Sequence, residues 1–433
     1  MLYTDDECTI IPDVVIILLI YVLIQLFRYL LDWLNIRHMR EQSGTVPPEF
    51  ESAVDTSLLR KSQDYLIDQT RLAAAESAFT SVVIVVFLFG GLFDQYSSWI
   101  AALNFPFLVA GWVFFMLLLF AEQVLAIPFN LISVFRLERR YGFTTTTPRL
   151  WLLDLVKETI ISGVIVSLLV FSGLWLISRS PGYWWLWFWI LLFSFSIIMT
   201  YISPWVIEPL FNKFTPLEEA SLKDAIIELA RKAGISARKV LKMDASRRSK
   251  HSNAYFTGLG KAKRVVLFDT LLEGMNHGEI LAVLAHEIGH WKRHHVLKGL
   301  VMFQALSLAG LYFVFRLTET GFLTALFRVE ADSLFPRVLL AVFLVSMLVF
   351  LLRPVITAIT RSMEREADRL SFELTGDNST MISALVKLSK DNLSNLYPHP
   401  LYVTFHYSHP PVLERIRALR EAQERGARSK EQG

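Results

Sequence analysis

Long apolar stretches alternate with polar segments along most of this chain. Seven stretches are apolar for long enough to cross, as helices, a hydrocarbon core that is about 30 Å thick. They lie near 14–27, 77–93, 105–121, 159–177, 183–207, 296–317 and 338–359. The pattern predicts a mainly α, integral membrane protein with seven transmembrane helices.

The polar segment 208–295 has the pattern of a small soluble domain. Residues 217–233 are amphipathic with a helical period, and Gly234 ends that helix. Alternating apolar residues predict a short strand at 239–243, and strands at 254–257 and 264–268 are joined by a turn at 258–263. We therefore expect a small β-hairpin or sheet directly before the next helix.

The same alternation divides the chain into four parts. Residues 1–207 are predicted to form a membrane region with five helices, and 208–295 a polar segment outside the membrane. Residues 296–360 then carry the sixth and seventh helices, and 361–433 form a C-terminal polar segment.

The distribution of positive charge predicts an orientation in the membrane. Arginines concentrate between the first and second spans and between the third and fourth, whereas the N-terminal tail and the loop 94–104 contain no Lys or Arg. We expect the N-terminus outside and both polar segments in the cytoplasm, where they can meet. The membrane is then a bacterial inner membrane or the endoplasmic reticulum.

Composition supports a membrane protein and narrows its chemistry. The chain is 53% hydrophobic with a mean hydropathy of +0.42, above the range of about 45–50% that is usual for soluble domains. Its net charge of +3 is too small to indicate a nucleic-acid partner, so we expect membrane lipid and no nucleic acid. Cys8 is the single cysteine, which leaves histidines and carboxylates as metal ligands.

The sequence His286-Glu287-Ile288-Gly289-His290 is the main chemical motif. At i, i+4 the two imidazoles project from one face of a helix and can bind one metal ion, with Glu287 close enough to take a proton from the attacking water. The apolar residues 278–285 (GEILAVLA) supply the helix that such a motif needs. This arrangement predicts a zinc hydrolase.

A catalytic zinc ion needs a third protein ligand and one open position. His294 lies about 12 Å along the same helix from His286, too far to share its ion, and His295 points elsewhere. Neither is expected to be a ligand.

A better third ligand follows the seventh span. Glu364 and Asp368 stand at i, i+4 on one face of a predicted helix. Glu364 can bind the metal, while Asp368 can accept a hydrogen bond from the other ring nitrogen of a metal-bound histidine.

The predicted hairpin suggests how a substrate could bind. An exposed strand edge beside a metal can hold an extended peptide by main-chain pairing. Asn253 stands at the start of the hairpin and could hydrogen-bond the substrate backbone, although an Asn there can also be a simple turn residue.

Six motifs together resemble one known family. They are HEIGHW, SRRSKHSNAYFTGLGKAKRVVLFDTLL, ERRYGFTTTTP, PLFNKFTPL, SMEREADRLS and FHYSHPPVLERIRAL. The chain is similar to the type I CAAX prenyl endopeptidases, integral-membrane zinc metalloproteases, over nearly all of its length after about residue 45. The resemblance implies seven transmembrane helices enclosing a chamber, capped on the cytoplasmic side by a gluzincin-type zinc protease domain. The polar segments 208–295 and 361–433 would then be the protease segments.

The resemblance also implies the composition of the metal site. His286, His290 and Glu364 would bind one Zn²⁺ per chain, and Glu287 would act as general base and proton shuttle.

Four further roles follow from matching family positions. Asp368 would support a metal ligand, Asn253 would hold the substrate backbone, and His409 would stabilise the oxyanion beside the zinc ion. Arg415 matches an arginine that supports this corner, but it could also be a surface residue of an amphipathic helix.

The implied activity is removal of the C-terminal tripeptide from prenylated CAAX proteins. One alternative is a quality-control zinc protease that cleaves misfolded membrane proteins and requires no prenyl group. A second, remote alternative is a transporter-like bundle with a structural metal, which the three-ligand set with an adjacent base disfavours.

Overall fold

A computed structural model describes residues 7–257 and 262–431, so most of the predicted turn at 258–263 lies outside the described residues. The helices are α1 (Glu7–Glu41), α2 (Thr56–Phe89), α3 (Leu92–Ala102), α4 (Phe107–Ile132), α5 (Glu138–Tyr141), α6 (Pro148–Arg179), α7 (Trp184–Val206), α8 (Glu208–Phe211), α9 (Ala220–Lys232), α10 (Asp269–Gly274), α11 (His277–Lys292), α12 (His295–Thr318), α13 (Phe322–Leu326), α14 (Leu334–Thr375), α15 (Ser379–Asp391), α16 (Pro400–His406) and α17 (Val412–Glu431). The strands are β1 (Phe214–Pro216), β2 (Ser236–Met243), β3 (Ala254–Thr257) and β4 (Ala262–Phe268).

Seven helical segments in the described part of the chain are long and apolar enough to cross a membrane, which confirms the predicted number. They are Asp13–Glu41, Thr56–Phe89, Phe107–Tyr141, Pro148–Arg179, Trp184–Phe211, His295–Thr318 and Leu334–Thr375. They extend beyond the predicted apolar stretches because polar turns continue the helices. The last is one continuous helix of 42 residues, so the predicted boundary at 360/361 falls within it. Its charged C-terminal part is therefore a direct extension of the seventh span.

The strands form one four-stranded sheet in the order β1-β2-β4-β3. The predicted hairpin is confirmed, since β3 pairs antiparallel with β4 and Ala254 lies opposite Leu267. Strand β2 runs parallel to β4 and is longer than predicted, and the three residues of β1 were not predicted. The sheet, α9 and α11 share one apolar core that includes Ile226, Val265 and Leu284.

The N-terminus of α11, the helix that carries the HEIGH motif, is firmly fixed. Asn276 caps it, accepting from the backbone of Glu279, whose side chain in turn accepts from the backbone of Asn276. The buried Glu279 carboxylate also accepts from Ser383 (2.6 Å) and Lys387 (2.7 Å) of α15. The direction of α11 is thus set by polar contacts as well as by its apolar core.

Helices α11 and α14 approach unusually closely at Gly289. A Cβ atom at this position would lie 2.8 Å from Cα and 2.9 Å from the carbonyl oxygen of Ala367. Only glycine allows the two backbones to approach to this distance. The contact places the two histidines of α11 opposite Glu364 and Asp368 of α14.

Candidate metal centre

His286, His290 and Glu364 converge from α11 and α14 on one point. The two histidine Nε2 atoms are 3.1 Å apart, and they lie 3.3 and 3.2 Å from the Glu364 carboxylate oxygens. All three ligand atoms lie within 4.8 Å of one another. The structure therefore brings together the three predicted ligands, which belong to helices far apart in the sequence.

The donor atoms fit a metal ion. Two imidazole nitrogens and one carboxylate oxygen are a common ligand set for a divalent transition metal. Oε2 of Glu364 is buried and has no hydrogen-bond partner among the described residues. Such an atom is costly to bury unless a cation or a donor satisfies it, so a metal ion here would satisfy it together with both Nε2 atoms.

The outer nitrogen of His286 contacts a buried ion pair. Its Nδ1 lies 2.7 Å from Oδ1 of Asp368, and Arg415 of α17 donates to both oxygens of that carboxylate, at 2.9 and 2.7 Å. Burial alone would lower the pKa of Arg415, but the Asp368 charge raises it, so the guanidinium stays charged. With Nδ1 donating to Asp368, Nε2 of His286 is left free to bind a metal.

The outer nitrogen of His290 contacts another imidazole. Its Nδ1 lies 3.1 Å from Nδ1 of His295, whose Nε2 lies 3.2 Å from a carboxylate oxygen of Glu366. His295 is only 5% exposed. The prediction that His295 points elsewhere was wrong: it is not among the metal ligands, but it contacts one.

The reason for this error is the backbone of His294. A single helix was predicted through His294 and His295, whereas α11 ends at Lys292 and α12 begins at His295. His294 lies between them with φ 57°, in the left-handed region. The chain therefore turns sharply, and His295 folds back onto His290.

Two further predicted site residues lie beside the ligands. Glu287 follows His286 on α11, and partial burial raises the pKa of its carboxyl above the ordinary value. Nε2 of His409 lies 3.3 Å from Oε1 of Glu364, although 61% of the His409 side chain is exposed. The Ser408 hydroxyl lies 2.9 Å from His409 Nδ1; if it donates there, the remaining proton stands on Nε2, which faces the ligands.

Asn253 stands at the start of β3, which is the edge strand of the sheet. Its side-chain oxygen accepts from the backbone N–H of Ala254 (2.8 Å), and its carbonyl accepts from Phe268 (3.1 Å). The Asn253 side chain is exposed. Its position at a strand edge is the one predicted, with no described contact to the metal ligands.

A cavity of about 610 Å³ opens beside this centre. His409 and Arg415 line it at one side, and His251, Asn392 and Tyr407 are among its other lining residues. A volume of this size is typical of ligand pockets and can hold several residues of a peptide.

Seven membrane-length helices among the described residues, and three side chains placed to bind a metal ion beside a further carboxylate, define a multi-pass membrane metallopeptidase. Comparison with known protein families gives the same class for the N-terminal and the C-terminal half of the chain. Residues 35–213 match the family described as CAAX prenyl protease N-terminal, five membrane helices, and residues 216–423 match Peptidase family M48. The chain belongs to peptidase family M48 and is a metalloendopeptidase.

Several known proteins resemble the chain over most of its length. A CAAX prenyl protease 1 homolog of Arabidopsis thaliana is 36% identical over 69% of this chain and 70% of the relative. An uncharacterized metalloprotease of Bacillus subtilis, YhfN, is 35% identical over 76% of this chain and 78% of the relative. The crystal structure of S. mikatae Ste24p superposes with a TM-score of 0.85 at 29% identity, covering 93% of this chain and 98% of that one.

Proposed function

We propose that this protein is a zinc endopeptidase that binds one Zn²⁺ per chain through His286, His290 and Glu364. The observation that carries the proposal is the convergence of these three ligand atoms beside Glu287, a half-buried carboxylate that follows His286 on α11. Three protein ligands leave a fourth position open, as a catalytic site requires. When bound, zinc supplies a Lewis acid that activates water and polarises a carbonyl group.

Glu287 transfers protons during peptide hydrolysis, and His409 stabilises the negative charge that develops on the substrate. Glu287 accepts a proton from the attacking water and returns it to the leaving amine. His409, beside Glu364, donates a hydrogen bond to the oxyanion that develops on the scissile carbonyl.

Four residues hold the two histidine ligands in place. Asp368, fixed by Arg415, orients His286, and His295, which contacts Glu366, orients His290. Outer partners of this kind select the ring tautomer and fix the direction of the ligating nitrogen.

The substrate is a peptide bound in extended form along β3, where Asn253 hydrogen-bonds its backbone. We infer that the natural substrates are prenylated CAAX proteins, from which the C-terminal tripeptide is removed. The names of relatives such as the Arabidopsis protein support this inference. The N-terminus then faces outside and the protease segments face the cytoplasm, in the endoplasmic reticulum or a bacterial inner membrane.

A second candidate is a quality-control protease that needs no prenyl group. The observation in its favour is the Bacillus subtilis relative, whose name specifies a metalloprotease and no prenylated substrate. Both candidates share the zinc chemistry and differ in substrate.

The test compares cleavage of three substrates by detergent-purified protein: a farnesylated CAAX peptide, its unprenylated twin and an unfolded membrane protein. Each is assayed with and without a chelator, and with Glu287→Gln. We expect that Glu287→Gln retains zinc and loses about 10²–10⁴-fold in kcat, because the proton acceptor is gone while the ligands remain.

The substrate pattern decides between the candidates. Chelator-sensitive cleavage of the farnesylated peptide alone would support the CAAX activity, and equal cleavage of all three would support quality control. If no substrate is cleaved at full zinc occupancy, the peptidase proposal fails and a transport function with a structural metal becomes the better explanation.

A further inference from the structure

A second, basic cavity lies at the end of the fifth membrane span, and no residue of the metal centre is among its described lining residues. It has a volume of about 370 Å³ and is lined by residues that follow α7 and by one face of the sheet. Among its described lining residues, Lys213, Lys239 and Arg264 are basic and none is acidic. None of these three basic residues has a role in the proposed peptide hydrolysis.

Arg264 is buried here, and one of its donor nitrogens has no partner among the described residues. Only 7% of the residue is exposed. Its Nη1 donates to the carbonyl oxygen of Pro204 at 2.9 Å, and its Cζ lies 4.4 Å from the ring centroid of Trp205. Its Nε is buried without a hydrogen-bond partner among the described residues. Burying a guanidinium with so few acceptors is unfavourable unless a negative charge lies nearby.

Two lysines add to this positive charge. Lys239 is the register partner of Arg264 on the neighbouring strand, and its Nζ lies 5.8 Å from the Trp205 ring centroid. Lys213 follows α8, and its backbone N–H donates to Asp244 at 2.6 Å. In the described part of the chain, no carboxylate forms an ion pair with the side chain of any of the three. Like charges on adjacent strands repel one another, so a bound anion would relieve the repulsion.

The cavity adjoins the surface that faces lipid. Trp205, at its rim, is 53% exposed, and the neighbouring Val206 and Leu210 are exposed as well. A lipid headgroup can therefore enter from the side while its acyl chains remain against the membrane helices. Basic pockets beside membrane helices can bind anionic lipid headgroups.

We propose that Lys213, Lys239 and Arg264 bind the phosphate group of an anionic phospholipid from the adjacent leaflet. Arg264 and Lys239 provide charge and hydrogen-bond donors from the sheet, Lys213 closes the cavity from the segment after α8, and Trp205 lies at the lipid boundary. Such a lipid would tie the sheet of the protease segment to the fifth span.

The proposal can be tested by native mass spectrometry of the full-length protein in detergent, titrated with phosphatidylglycerol or phosphatidylcholine. The variant is Lys213→Gln/Lys239→Gln, because both lysines are exposed and the buried Arg264 is left intact. The matched control is Lys223→Gln/Lys232→Gln, which removes the same charge from the exposed side of α9. We expect about tenfold weaker phosphatidylglycerol binding for the variant and no change for the control.

Three outcomes would overturn the proposal. The first is equal binding of phosphatidylglycerol and phosphatidylcholine, which would mean that the phosphate charge is not recognised. The second is an equal effect of the variant and its control, which would indicate a general surface charge effect. The third is displacement of the lipid by glycerol 3-phosphate or inorganic phosphate at equal concentration, which would indicate a site for soluble phosphate.

Discussion

The two histidines of the HEIGH motif occupy equivalent positions on one helix but have very different supports. Behind His286 stands a buried carboxylate–guanidinium pair, Asp368 and Arg415. Behind His290 stands a second imidazole, followed by Glu366, whose side chain is 40% exposed. Water has little access to Asp368 and Arg415 when their contact is broken, whereas it can reach Glu366. Breaking the contacts behind His286 should therefore lower both metal affinity and fold stability. Breaking those behind His290 should lower mainly metal affinity.

The largest effect should follow from Asp368→Asn. The substitution leaves Arg415, whose side chain is only 11% exposed, without its counter-charge, so we expect the free energy of unfolding to fall by about 3 kcal/mol. Zinc affinity should fall by about 100-fold as His286 loses its orienting acceptor. Thermal unfolding and chelator competition measure the two losses. The control is Glu421→Gln, which removes an exposed carboxylate from α17; equal losses in the two variants would contradict the asymmetry.

Gly289→Ala should act on both sides of the site together. The added methyl group meets the backbone of Ala367, which cannot move aside as a side chain would, so α11 and α14 must separate. We expect a loss of about 1–3 kcal/mol in unfolding free energy, together with weaker zinc binding. The control is Gly299→Ala on α12, where a Cβ meets no atom within 4 Å and the higher helix propensity of Ala should be neutral or stabilising. Unchanged zinc affinity in Gly289→Ala would show that the close contact does not set the ligand spacing.

His295→Asn should separate metal affinity from stability. The shorter side chain cannot contact both His290 and Glu366, so we expect zinc affinity to fall by about tenfold. The melting temperature should fall less than in Asp368→Asn, because no buried charge loses its partner. His294→Asn is the matched control, since His294 is exposed and Asn tolerates its left-handed backbone. Equal zinc affinities in the two variants would remove His295 from the support of the site.

The sequence could predict those parts of the site that follow from helical periodicity. One such pair is His286 and His290, at i, i+4 on α11, and another is Glu364 and Asp368, at i, i+4 on α14. The seven apolar stretches and the hairpin are also local patterns. The position of His295 depends on the left-handed backbone of His294. This conformation could not be predicted, because residues other than glycine rarely adopt it.

Contacts between helices that are far apart in the sequence could not be predicted from periodicity either. Arg415 could be suspected from family resemblance, but its bidentate contact with Asp368 results from the packing of α17 against α14. Strand β1 has only three residues, too few to show an alternation, and it is defined by its pairing with β2.

His251 provides an internal contrast to both metal-site histidines, because it contacts a carboxylate without belonging to the metal centre. Its Nε2 lies 3.6 Å from Glu138, which also accepts from Tyr65, and its Nδ1 lies 2.8 Å from Oδ1 of Asn392. Its ring stacks on Phe143. The contact with Glu138 is the main reason that the pKa of His251 is raised.

A raised pKa makes the contribution of His251 to stability dependent on pH, and the sign follows from linkage. The folded protein holds the His251 proton more tightly than the unfolded chain, whose pKa is about 6.5. The stabilisation is therefore complete below about pH 6.5 and is lost as the pH rises through the folded value. We expect the melting temperature of the protein to exceed that of His251→Gln most at about pH 6, with the difference shrinking toward about pH 8.5. Because the imidazole is partly exposed, the effect should be smaller than those above. A difference that grows with rising pH would mean that His251 is held neutral, as a metal ligand is, and the contrast with His286 and His290 would fail.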